Sequence, residues 1–248
     1  METVLKAENL RKNGILHGVT FEIGKGEMVA VMGPSGSGKS TLLYNVSGMD
    51  TPDAGRVWLG NEEITAMTED EKARLRLHRM GFVFQQMHMV EHLNILDNVL
   101  LPAVQAAKEN KRPKAERRAL TEKAERLMQK LSVEGLGARS VRAVSGGQLQ
   151  RACIARSLMN DPEILFADEP TGALNRSAAD EVMDTLTALN REGTTVLMVT
   201  HDSRMAARCG RILCLLDGRI VDSVELPREA TLAENEALVN RRLAEMGW

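Results

Sequence analysis

One stretch, GPSGSGKST from Gly33 to Thr41, limits what this chain can fold into more than any other. An apolar run, EMVAVM (Glu27–Met32), enters it, and a helix-like run, Lys39–Gly48, leaves it. Gly33, Gly38, Lys39 and Ser40 match the spacing GxxxxGK[ST]. Glycines let successive backbone N–H groups turn inward around an anion, and the helix that follows points its positive end at the same place. Lys39 can reach the β- and γ-phosphates of a nucleotide, and the Ser40 hydroxyl can ligate Mg²⁺. A guanine-reading motif of the NKxD kind is not present. The nearest string, NKRP (Asn110–Pro113), lacks its aspartate.

The rest of the chain supplies the layers such a loop needs. Short strands are expected at Met1–Leu10, Val19–Ile23, Arg56–Gly60 and Gly81–Gln85, with a polar helix at Thr68–Arg79. The middle has helical periodicity and no strands: Leu93–Ala107 and Lys114–Leu131, joined by a turn or loop, KENKRPK. The helical subdomain covers Gln86–Ala143 and, with the helix after Ser145, reaches about residue 160. Alternation then returns. Strands are expected at Ile164–Asp168, Thr194–Val199 and Arg211–Leu216, and helices at Ala178–Asn190 and Ser203–Arg208. Strands alternating with helices predict an α/β fold with a largely parallel sheet. The tail, residues 226–248, is polar and partly helical.

Three further strings carry chemistry. ILFADEP (Ile164–Pro170) is an apolar strand ending in two carboxylates. Asp168 fits an aspartate that holds Mg²⁺, and Glu169 one that orients or deprotonates water. VLMVTHD (Val196–Asp202) ends a second strand of the same sheet in His201. VSGGQLQRACIAR (Val144–Arg156) sets Ser145, Gly146 and Gly147 before a helix, which makes a second anion site.

Composition removes other classes. With 32 basic and 34 acidic residues the net charge is −2, and aromatic residues are only 3%. Neither a phosphate-tracking basic surface nor a base-stacking platform is indicated, so no nucleic-acid partner is expected. Cys153, Cys209 and Cys214 form no CxxC pair, which argues against disulfides and zinc and for small buried side chains. The opening METVLKAENLRK has no long apolar run, so no signal peptide is expected. No stretch approaches the roughly 20 apolar residues that span a bilayer.

The order of these elements (phosphate loop, glutamine after a strand, SGGQ, acidic strand end, histidine) resembles the nucleotide-binding subunit of ABC transporters, over about Leu5–Val224. The resemblance implies a P-loop core of the ABC-ATPase type with an N-terminal antiparallel β subdomain and an inserted helical subdomain. Residues 1–225 would be one ATPase domain with the insertion at about 86–160. It implies that Gly33, Pro34, Ser35, Gly36, Ser37, Gly38, Lys39, Ser40 and Thr41 bind ATP, with Gln85, Ser145, Gly146, Gly147 and Gln148 contributing. Ser40, Gln85 and Asp168 would surround Mg²⁺, Glu169 would be the catalytic base, and His201 would contact the γ-phosphate. Two copies would pack head to tail over two ATP molecules, so the Ser145–Gly147 loop would serve the partner's nucleotide. The cofactors are then ATP and Mg²⁺, and the second partner is an integral membrane permease met through the helical subdomain near Met87, Met89 and Val90. The location is cytoplasmic, peripheral on the inner face of the membrane.

The chain departs from the family at three points. Val144 stands where leucine is commoner. Asn13 lies where an adenine-stacking tyrosine is expected. Asn175 replaces an aspartate, so Asn175→Asp is expected to change ATPase rate or cooperativity. FVFQ, DNVLLPAV, KAERR and FADEPTGALN look like the branch of macrolide exporters, lipoprotein-releasing complexes and bacitracin-type peptide-resistance transporters, and GALN and the EMGW tail look most like the last. The alternative is a mechanical regulator of cell-wall remodelling built on the same ATPase.

Overall fold

A computed structural model describes residues 2–109 and 116–248. The chain divides into two compact units: residues 1–73, 166–169 and 187–248, and residues 74–165 with 170–186.

The first unit opens with an antiparallel sheet. β1 (Thr3–Lys12) and β2 (Leu16–Gly24) pair in register Ala7↔Phe21, and β4 (Ala54–Leu59) pairs with the other side of β1 in register Ala7↔Val57. A short β5 (Glu62–Glu63) completes the order β2-β1-β4-β5. Leu5, Ala7 and Leu10 of β1 are fully buried.

The second sheet is built around β3 (Met28–Met32), whose five residues are all buried. It lies between β8 (Thr195–Val199) and β9 (Arg211–Leu216), and pairs with both in parallel. A strand covered on both faces has no solvent side, so MVAVM and, after Thr195, VLMV are continuous apolar runs. β10 (Arg219–Glu225) closes the edge antiparallel to β9. β6 (Met80–Phe84) and β7 (Ile164–Asp168) complete the order β10-β9-β3-β8-β7-β6. The sheet is thus largely parallel around its centre, as expected. Helix α1 (Lys39–Val46) follows β3, and α7 (Ser203–Ala206), N-capped by Asp202, follows β8. The tail forms α8 (Leu232–Glu245), started by a Thr231–Glu234 capping box. Helices α2 (Glu69–Arg79) and α6 (Arg176–Arg191) run through chain segments of both units.

In the second unit α3 (Ile95–Glu109) packs on α4 (Glu116–Lys130) and α5 (Gly146–Ser157). The entry to α3 is fixed by Asn98, which is fully buried. Its amide donates to the carbonyls of Val90 (3.1 Å) and Asn94 (2.9 Å), and its oxygen accepts from the Val90 N–H at 2.7 Å. β6 packs tightly on α5: a side chain at Gly81 would meet the Ser157 carbonyl oxygen at 2.8 Å.

Most element boundaries lie within two residues of those expected from the sequence. β2 begins three residues earlier than expected, at Leu16, and β10 was not expected at all. The expected loop KENKRPK begins inside α3. Its remainder, with the NKRP string and the Met1 start of the first strand, lies outside the described residues.

Candidate functional site

The phosphate loop leaves β3 and turns into α1 at Gly38, which takes a left-handed φ of 100°. Gly38 is the α1 N-cap and offers no side chain to the first turn, so the N–H groups there have no capping partner on it. A side chain at Gly38 would stand 3.1 Å from both Ile15 Cγ2 and Leu16 Cδ2. Of these two apolar groups Leu16 is buried and Ile15 exposed, near the place where an aromatic residue was expected at Asn13.

Lys39 folds back over the loop and donates to the carbonyls of Gly33 (2.8 Å) and Pro34 (3.0 Å). Burial lowers its pKa, and the carboxylates of Glu169 and Asp168 partly oppose that. Those two carbonyls satisfy an ammonium group that a bound phosphate would otherwise take. Ser37 is buried, and its hydroxyl oxygen has no partner.

One turn of α1 separates Ser40 from Tyr44, so both face the same neighbour. Ser40 Oγ donates to Asp168 Oδ1 at 3.0 Å, and Tyr44 Oη donates to Asp168 Oδ2 at 2.6 Å. Burial, then the bond to Asp168, pushes the Tyr44 pKa up to about 12. Asp168 ends β7 and is 9% exposed.

Glu169 takes a positive φ of 45°, uncommon for a residue with a side chain, and its N–H donates to the Val199 carbonyl at 3.0 Å. The turn sets Glu169 Oε1 2.8 Å from His201 Nδ1. The Glu169 side chain is 16% exposed and the His201 side chain 69%. Ser40 with Asp168 and Glu169 with His201 form two hydrogen-bonded pairs joined by adjacency along the chain, and Lys39 feels the charge of both carboxylates, so these five of the expected residues make one cluster. Its donors toward a metal are hard oxygens, a hydroxyl and a carboxylate. That is the small protein contribution Mg²⁺ accepts when phosphate and water supply the rest.

In the second unit, Ser145 caps α5 in a capping box. The Gln148 N–H donates to Ser145 Oγ (3.3 Å), and the Ser145 N–H donates to Gln148 Oε1 (3.0 Å). This cap uses the hydroxyl as an acceptor and leaves its proton unused. Gly147 has a local reason of its own: a side chain there would stand 2.9 Å from Ala178 Cβ. Gln85 follows β6 directly, with its amide nitrogen 2.8 Å from where Gly172 would carry a side chain. Fully buried Gln150 donates to the carbonyls of Phe84 (3.1 Å) and Pro170 (2.8 Å), tying the segments that hold Gln85 and Gly172 to α5. Asn175 Oδ1 accepts from the Ala178 N–H at 3.0 Å, in the first turn of α6.

Sequence reasoning missed two participants. Tyr44 was legible in principle, because it stands four residues after Ser40 on a helix. Gly218 was missed along with β10. It has φ 69°, its N–H donates to the Ser37 carbonyl at 3.2 Å, and its carbonyl accepts from the His17 N–H at 2.8 Å. Asp217-Gly218 directly after the apolar run Ile212–Leu216 is a two-residue hairpin signal that points to it.

A phosphate loop on a central parallel strand, with acidic and histidine residues at neighbouring strand ends, defines a nucleotide-binding α/β domain. The family described as ABC transporter matches residues 16–172. The lipoprotein-releasing system ATP-binding protein LolD of Aquifex aeolicus is 39% identical over 228 residues, which is 90% of this chain and 99% of the relative. The macrolide export ATP-binding/permease protein MacB of Bartonella henselae is 38% identical over 229 residues, 92% of this chain, and the chain spans 34% of that relative's length. Among solved structures, the dimeric post-hydrolysis state of the ATP-binding cassette MJ0796 bound to ADP and Pi has a TM-score of 0.79 at 35% identity, covering 90% of this chain and 99% of that one. The chain belongs to the ABC transporter family as an ATP-binding cassette, a class whose chemistry is ATP hydrolysis.

Proposed function

We propose that this chain is the ATP-hydrolysing subunit of a membrane transporter, closing head to tail with a second copy over two Mg-ATP. The observation that carries the reading is the cluster of Lys39, Ser40, Asp168, Glu169 and His201, in which Ser40 bonds Asp168, Glu169 bonds His201 and Lys39 feels both carboxylates. Residues 1–225 act as one ATPase domain with the helical insertion at about 86–160, and 226–248 as its tail. Lys39 leaves its two carbonyls for the phosphates, and the Gly33–Thr41 backbone holds them. Ser40 and Asp168, with Gln85, hold Mg²⁺, which when bound neutralises charge developing on the phosphate oxygens. Glu169 takes the proton of the attacking water, and His201 holds the Glu169 carboxylate and reaches the γ-phosphate. Ser145, Gly146, Gly147 and Gln148 present the capped start of α5, with the unused Ser145 proton, to the nucleotide of the other copy.

The energy drives an integral permease on the inner face of the membrane. Among the described residues no helix is long and apolar enough to cross a membrane itself. The names of the relatives favour export of macrolides or lipoprotein-like cargo, and the GALN string and EMGW tail add antimicrobial peptides to the proposal. The test is the molar mass of purified Glu169→Gln with and without Mg-ATP by light scattering, alongside its turnover. Dimerisation with ATP and lost turnover are expected. A variant that turns over like the wild type would remove Glu169 as the base.

A further inference from the structure

Resting on the metal site just proposed, we propose that Tyr44 is a positioning residue for Mg²⁺. Its hydroxyl holds one oxygen of Asp168 so that the other stays turned to Ser40 and the metal. A carboxylate on a short side chain rotates broadly about its last torsion. Two hydroxyls from successive turns of α1 remove that freedom here, Ser40 on Oδ1 at 3.0 Å and Tyr44 on Oδ2 at 2.6 Å. The Ser40 end of this arrangement would be shared with Mg²⁺, because the Ser40 hydroxyl and the same carboxylate are the groups that would hold it. The Tyr44 end has no such competitor. It is the part of the arrangement that can persist in both states, and it fixes which oxygen faces the metal. Without the phenol, Oδ2 of a nearly buried carboxylate loses its donor, and the group can turn away. Partners that orient a metal's ligands typically change its affinity by roughly 10–100-fold.

Tyr44→Phe keeps the ring and removes only the donor. The experiment is calorimetric binding of the non-hydrolysable analogue AMP-PNP to wild type and Tyr44→Phe, in EDTA and across a Mg²⁺ series. The expected result is equal affinity in EDTA and a Mg²⁺ midpoint about tenfold higher in the variant. Equal midpoints would overturn the role of Tyr44. An equal loss with and without Mg²⁺ would overturn it too, by showing a structural role only. A wild type whose binding ignores Mg²⁺ would overturn the metal site itself, and the proposal with it. A second measurement needs no variant. Tyr44 is the only tyrosine in the chain, so the wild type labelled with 3-fluorotyrosine gives a single ¹⁹F resonance. That resonance is expected to move when Mg²⁺ is added to the AMP-PNP complex, and one that stays in place overturns the proposal.

Discussion

Glu169 shows how one residue can be set for a task by its backbone. Its positive φ and the N–H bond to Val199 fix the turn, and His201 fixes the carboxylate. Glutamine has the same shape and can still meet His201, but it cannot accept a proton as a base. Glu169→Gln should therefore lower turnover at least about 100-fold, with ATP affinity unchanged in a binding titration. Asn175 separates two roles that sequence comparison merges. As a cap on the first turn of α6 it is as good as an aspartate would be. Asn175→Ala should cost about 1 kcal/mol in chemical denaturation, whereas Asn175→Asp should leave stability unchanged. A shift in steady-state ATPase rate or cooperativity in Asn175→Asp would then report the charge alone. Unchanged kinetics would limit residue 175 to capping.

At the scale of elements, the β9–β10 hairpin does more than close a sheet edge. Its turn residue Gly218 bonds both to the phosphate loop and to β2, so the hairpin ties the loop to the N-terminal sheet. A side chain at Gly218 would overlap the Ile15 carbonyl oxygen, and its φ of 69° disfavours any other residue. Gly218→Ala should lose at least about 2 kcal/mol of stability, and ATP affinity should fall with it. A thermal melt and a nucleotide titration on the same sample check both. This hairpin also marks where the sequence stopped being informative. Strands β7 and β9 have the bounds expected for them, because four or five consecutive apolar residues between polar neighbours read as a buried strand there. β10 alternates exposed positions with half-buried ones and the buried Val224, RIVDSVE, as an edge strand does, and no apolar run announces it. The motif residues Lys39, Ser40, Asp168, Glu169 and His201 were legible because their chemistry restricts residue type. Tyr44 and Gly218 were not singled out, because any helix can carry a tyrosine and any turn a glycine. Only their contacts give them roles.

For the molecule as a whole, the three cysteines report on burial. All are free and buried, and burial pushes Cys153 up to about 11 and Cys209 up to about 12 from an ordinary value near 9. The folded chain keeps these protons at a pH where the unfolded chain has released them. Their contribution to stability is complete below pH 9 and declines as pH rises toward 11 and 12. The urea midpoint should fall steadily above pH 9, and the native protein should resist thiol reagents at pH 8 until it unfolds. The parallel pairing of β3 has a consequence in time. Its partners β8 and β9 are Thr195–Val199 and Arg211–Leu216, close to the other end of the chain. At 5–20 residues per second, the ribosome delivers them roughly ten seconds or more after Met28–Met32 has emerged. Throughout synthesis the most apolar strand of the protein waits without neighbours. A chain released before Val196 keeps it so permanently, and such truncated products should be insoluble or held by chaperones.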